Sequence, residues 1–136
     1  MTALDAPAHS VSGVLAWHST IHLPPAELDR VLAALRRLLT SSGMLVASVF
    51  DSDDDVAAFD HAVITAYRWP ADVFAERLAK AGFTEVQRLR QQYPERPDRK
   101  YAAIAARASG LPIPHPSAVR HGRAEPTCPI ELQIVE

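Results

Sequence analysis

VSGVLAWHSTIHLPPAELDRVLAALRRLLTSSGMLVASVF, residues 11–50, decides the fold class. It opens with a short apolar run rich in Val, Leu and Trp, of strand length, in which Val14 to Trp17 form a buried strand. Leu23 is followed by Pro24 and Pro25, a suitable helix entrance because proline is tolerated in the first turn and Glu27 favours the positive end of the helix dipole. Leu28, Val31, Leu32, Leu35, Leu38 and Leu39 then recur at spacings of three and four, so they lie on one stripe, with Asp29, Arg30, Ala33, Arg36 and Arg37 filling the rest. Ser41 and Ser42 compete for backbone hydrogen bonds, and Gly43 is expected to end the helix as a left-handed cap. Met44 to Phe50 is continuously apolar, as in a strand covered on both faces. Strand, helix and strand in that order make a βαβ crossover with adjacent parallel strands.

Downstream, the acidic cluster Asp51, Asp53, Asp54 and Asp55 opens a stretch to Arg68 that fits no single period and reads as a long loop with some helix. Pro70 to Ala81 forms a second amphipathic helix through Val73, Phe74, Arg77 and Leu78, and Gly82 stops it. Thr84 to Arg90 and Lys100 to Ala106 are strands whose short separation favours an antiparallel pair. After about Ala108 Pro, His, Ser and Arg replace the aliphatic pattern until Ile130 to Val135, so Ser109 to Pro129 is expected to be largely disordered. The chain thus divides into one domain over residues 1–108 and a tail over 109–136.

The rest of the composition narrows function by exclusion. With 136 residues, 48% of them apolar, the chain is long enough for one core. A net charge of −2 with no basic cluster leaves nothing to draw a nucleic acid or an anionic membrane. No apolar run approaches the ~20 residues of a membrane helix and the amino terminus lacks a signal pattern, so a cytoplasmic protein is expected. Cys128 is the sole cysteine and cannot form an internal disulfide. No metal is expected. The acidic cluster lacks the glycine and distal glutamate of a calcium loop and reads as a solvated turn, while His115, His121 and Cys128 match no zinc spacing.

Beyond this order of elements, the wording of the segments resembles one family. Residues 1–50 look like the stretch from the adenine loop to the fifth strand of the class I, Rossmann-like, S-adenosylmethionine-dependent methyltransferases. LAKAGF, Leu78 to Phe83, resembles the helix end before that family's sixth strand, and KYAAIAAR, Lys100 to Arg107, its closing strand. The resemblance covers residues 1–107 and implies an α/β fold: a partial Rossmann-like sheet, strands four to seven with flanking helices, ending in an antiparallel pair. It implies S-adenosylmethionine as cofactor and a small-molecule methyl acceptor. The glycine-rich turn and the ribose-binding acidic residue of the first strands are not found, since the five glycines are scattered. The expectation is a truncated, carboxyl-terminal half that is inactive alone.

Position by position, the resemblance places Met1, Thr2 and Leu4 in the adenine loop and Ala16, Trp17 and His18 at the end of the fourth strand, all on the cofactor side. Trp17 reads equally as a core or lid aromatic. His22 falls in the loop after the fourth strand, at the mouth of the active site, where a histidine orients or deprotonates an acceptor; otherwise it hydrogen-bonds the loop. His61 resembles a position near the substrate. Three functions compete on this basis. One is an enzyme half completed by a separate amino-terminal half. Another is a noncatalytic interaction module that dimerises through the apolar edge of the fourth strand, expected to be unpaired. The last is a degenerate product with little stable structure.

Overall fold

The computed structural model describes residues 6–61, 64–109 and 133–135. In chain order the elements are β1 (Val11–Ala16), α1 (Pro25–Leu38), β2 (Leu39–Phe50), β3 (Ala57–His61), β4 (Ile64–Arg68), α2 (Ala71–Lys80), β5 (Phe83–Tyr93), β6 (Arg96–Ala108) and β7 (Gln133–Val135). β1 and β2 are adjacent and parallel, as the crossover predicts. β6 pairs antiparallel with β2 and with β5, so the ribbon runs β7-β1-β2-β6-β5.

The predicted stripe of α1 is buried throughout, from Leu28 to Leu39, and each such leucine contributes about 1.5–3 kcal/mol by leaving water. The helix nevertheless ends earlier than its glycine suggested. Leu39 is already extended, with ψ 141°, and residues 39–43 begin β2. Gly43 has no left-handed backbone; a Cβ there would lie 2.9 Å from Leu39 Cδ2 and 3.2 Å from the Ser12 carbonyl, so its smallness serves close strand packing. Gly82 is the true cap glycine, with φ 92°. Arg36, placed by its spacing on the polar side of α1, is 3% exposed. It donates from Nε to the Gly82 carbonyl and from Nη2 to the Ser109 carbonyl, both at 3.1 Å, and so clamps α1 to the start of β5 and the end of β6.

Residues 57–68, read from sequence as loop with some helix, form instead the antiparallel hairpin β3–β4. The hairpin has no strong period because it stands off the core: only Ala66 of its described residues is buried. It is moored where the Tyr67 amide donates to the Ile21 carbonyl (2.8 Å) and the Trp69 amide to the Phe50 carbonyl (2.8 Å). The acidic turn is not wholly solvated either. Asp51 is 3% exposed and accepts from the Ala71 amide (3.0 Å) at the start of α2 and from Arg90 Nε (2.8 Å), while Asp53 pairs with Lys100. β5 and β6 run longer than expected, leaving only Pro94 and Glu95 between them. Ser109, assigned to the disordered tail, is ordered: its amide donates to the Gly82 carbonyl at 2.9 Å. Most of the remaining tail, with His115, His121 and Cys128, lies outside the described residues. The edge of β1, expected to be free, carries β7 across Gly13, Val14 and Leu15.

Strand register divides the sheet into two unlike faces. Val14, Ala16, Leu45, Ala47, Val49, Ala102, Ile104 and Ala106 are register partners on one face, and they form a single core with Leu28, Leu32 and Leu35 of α1 and Phe74 and Leu78 of α2. The opposite face presents Leu15, Met44, Val46, Phe50, Tyr101, Ala103 and Ala105, all only partly buried. Among the described residues both helices therefore lie on one face, and no helix covers the other.

The cap glycine gives a direct test of this packing. Gly82→Ala forces a side chain into a left-handed backbone and sets Cβ 3.3 Å from Arg36 Nε. We expect a loss of about 1–3 kcal/mol in urea unfolding, and no change on Ser42→Ala, an exposed strand position.

Candidate active site

The carboxyl ends of β1 and β2 carry the candidate chemistry. After Ala16 the chain turns through His18, whose φ of 48° lies in the left-handed region that histidine tolerates better than most residues. The His18 amide donates to Ser48 Oγ on β2 (2.8 Å), which fixes the turn against the neighbouring strand. The imidazole then stacks on Phe50, with centroids 5.2 Å apart and planes at 22°, and meets Tyr101 and Trp17 edge-on at 5.2 and 5.5 Å. Phe50 also touches Phe59, His61 and Tyr101, and Tyr93 meets Tyr101 at 5.5 Å.

These rings border a cavity of about 480 Å³ on the uncovered face, with Trp17, His18, His22, Phe50, His61 and Tyr101 in its walls. Leu89, Gln91 and Tyr93 of β5 complete it. Trp17, Leu89 and Tyr93 are 56%, 58% and 45% exposed, so large apolar groups gather at this cavity instead of in the core. Exposed apolar side chains clustered around a concavity mark a binding surface.

The structure brings His22 and His61 together, at 5.8 Å between ring centroids. His22 Nδ1 lies 3.1 Å from the Thr65 carbonyl. A carbonyl only accepts, so Nδ1 carries the proton, and in the neutral ring the lone pair resides on Nε2. The loop contact and the acceptor-facing role, posed as alternatives in the sequence, are thus compatible in geometry: one nitrogen binds the hairpin and the other keeps its lone pair. His18 is held below the usual histidine range, first by burial and then by the neighbouring His61. It is a neutral wall at neutral pH.

Of the expected cofactor-side residues, Ala16, Trp17 and His18 stand together at the end of β1, while Met1, Thr2 and Leu4 lie outside the described residues. Ala16 is fully buried on the helix-covered face and offers only backbone. The described glycines Gly13, Gly43 and Gly82 sit in β1, in β2 and in the α2–β5 turn, and none precedes a helix. The described residues hold no glycine cluster of the kind the resemblance places at the cofactor. Among them no group of three or more His, Cys, Asp or Glu side chains is arranged to hold a metal ion. Sequence reasoning missed Ser48, Phe50, Leu89, Tyr93 and Tyr101. Phe50 and Tyr101 are register partners, a pairing visible only once β6 is placed antiparallel beside β2.

No family model matches the sequence and no curated protein does; the kinship is structural. The chain superposes on 1,6-didemethyltoxoflavin-N1-methyltransferase of Burkholderia thailandensis, a structure with bound 1,6-didemethyltoxoflavin and S-adenosylhomocysteine, with a TM-score of 0.66 and 27% identity, covering 76% of this chain and 46% of that one. An S-adenosylmethionine-dependent methyltransferase of Methanosarcina mazei gives 0.66 at 10% identity, covering 78% and 63%. The [4+2]-cyclase SpnF gives 0.63 at 17%, covering 78% and 52%. The chain has the class I, Rossmann-like fold of S-adenosylmethionine-dependent methyltransferases, with S-adenosylmethionine the cofactor this kinship implies. It spans between 46% and 63% of the length of these three structures. No described helix is long and apolar enough to cross a membrane.

The depressed His18 sets a sign for pH. Because the folded state resists protonating it, its contribution is full above the unfolded value of 6.5 and is lost as pH falls below that. Thermal unfolding followed between about pH 7.5 and 5.5 should show His18→Asn, which keeps a left-handed turn former, losing less stability on acidification than the parent chain.

Proposed function

We propose that this chain is the acceptor-binding part of a methyltransferase that moves a methyl group from S-adenosylmethionine to a small molecule in the ring-lined cavity. The observation that carries the reading is the one-sided sheet: two helices pack on one face, and the cavity opens on the other, at the ends of the parallel strands where ligands of such sheets sit. A layer contributed by a complementing amino-terminal half, on that uncovered face, supplies the glycine-rich cofactor cradle. On this reading the chain is a truncated domain over residues 1–108, inactive alone.

Fold does not determine reaction, as the cyclase among the neighbours demonstrates, so the assignment leans on the site. Alignment of the acceptor is the main demand of methyl transfer. Phe50, His18 and Tyr101 form a wall that orients a flat acceptor, and Trp17 borders the opening on the cofactor side. His22 Nε2 accepts the proton that the acceptor oxygen or nitrogen must lose, while Thr65 holds the opposite nitrogen. His61 lines the acceptor side. The Burkholderia neighbour, a methyltransferase with 1,6-didemethyltoxoflavin and S-adenosylhomocysteine bound, accords with such a reading.

Affinity purification of the tagged chain from its native cells should recover a second polypeptide bearing the glycine-rich turn, and the complex should transfer label from S-adenosyl-[methyl-³H]methionine to a small-molecule extract. His22→Gln in that complex should lower kcat by about 10²-fold or more with little change in KM. Recovery of the chain without any such partner, or a complex that transfers no label, contradicts the proposal.

A further inference from the structure

A second cavity of about 440 Å³ adjoins the first and shares Phe50, His61 and Tyr101 with it, but apart from Phe59 its remaining walls are charged. Half of those charged side chains are already paired. Asp51 binds Arg90 Nε at 2.8 Å, Asp98 lies 3.6 Å from Arg96, and Lys100 pairs with Asp53. Two guanidinium groups have no carboxylate partner. Arg68 stacks on the Phe59 ring at 4.7 Å and gives Nη1 to the Asp98 carbonyl at 3.3 Å, which leaves donors of its fork open. The Arg99 side chain, exposed on β6, makes no side-chain hydrogen bond or ion pair among the described residues.

The carboxylate left over is Asp60. Register in the hairpin pairs Ala57 with Arg68, Phe59 with Ala66 and His61 with Ile64 on one face, and Asp60 with Thr65 on the other. The face that turns Phe59, His61 and Arg68 together thus carries a guanidinium. Among the wall side chains outside those ion pairs the two arginines exceed the one carboxylate, Asp60, by a single charge, although all the walls together, with Asp51, Asp60 and Asp98 against Arg68, Arg99 and Lys100, sum to zero. One negative charge on a planar group is what a guanidinium fork, held flat by an aromatic ring, binds best.

We propose that the second cavity is a carboxylate subsite: the acceptor is a planar heteroaromatic ring seated against Phe50, Tyr101 and His18, bearing a carboxylate that Arg68 and Arg99 hold. Phe50, His61 and Tyr101 form the shared wall, so a ring and a carboxylate attached directly to it reach both cavities. This rests on the reading of the first cavity as the acceptor site, and it assigns Arg68 and Arg99 to substrate selection.

The test needs neither cofactor nor methyl transfer. The purified chain is titrated with pterin and with pterin-6-carboxylate, followed by ligand fluorescence at low salt. The carboxylate should bind about tenfold more tightly than pterin. Arg99→Gln, at an exposed position that leaves folding intact, and Arg68→Gln should each shrink that preference, and the double variant should bring it to within about twofold while leaving pterin affinity unchanged. Equal affinity for the two ligands, a preference that survives both substitutions, or no binding of either at millimolar concentration overturns the proposal. Selective binding by a chain that never supports methyl transfer in its complex would refute the enzymatic reading and leave the carboxylate subsite standing.

Discussion

A single buried carboxylate organises the end of the sheet where the cavities lie. Asp51 follows the last residue of β2, and it accepts from the first amide of α2 and from Arg90 of β5, while its own amide donates to the Lys100 carbonyl of β6. Four elements meet on one residue. A carboxylate taken out of water is costly unless charge and hydrogen bonds compensate it, so the geometry around Asp51 is strongly specified. Phe50 is its immediate neighbour and meets the rings of His18, Phe59, His61 and Tyr101. The chemistry of the pocket wall is held in place by a structural anion one residue away.

A second constraint is the unequal treatment of the two sheet faces. Strand alternation sends Leu45, Ala47 and Val49 into the helices, and it sends Met44, Val46 and Phe50 to a face without a described helix. Those side chains remain half-exposed, and the rings at one end of that face enclose the cavity. The rings on that face, the His22 tautomer set by the Thr65 carbonyl and the arginines of the neighbouring cavity are the parts from which the proposed acceptor site is built.

Much of this was legible in the sequence. Five of the six stripe residues, Leu28 to Leu38, lie on α1 as the 3.6-residue pattern predicts, while Leu39 already belongs to β2; the crossover to β2, the Gly82 cap and the antiparallel pair β5–β6 also follow the sequence. The errors have physical causes. Gly43 was taken as a cap because glycine after a helix usually is one, but tertiary packing against Leu39 and Ser12 used its size and not its φ. The β3–β4 hairpin stands off the core, so burial imposed no alternation on residues 57–68. Arg36 looks polar to any helical wheel, and only the distant Gly82 and Ser109 carbonyls make its burial favourable. His22 and His61 come from the family resemblance, and the structure brings them together at the first cavity; the walls from Leu89, Tyr93 and Tyr101 depend on the long-range register of β6 and β5.

The central claim is that this chain binds an acceptor but needs a second layer to hold the methyl donor, and isothermal titration of the folded, purified chain with S-adenosylhomocysteine tests it most directly. The account predicts no saturable heat up to about 1 mM ligand, an affinity weaker than about −4 kcal/mol. Saturable one-to-one binding at micromolar affinity would contradict it, showing that this chain rebuilds a donor site by itself.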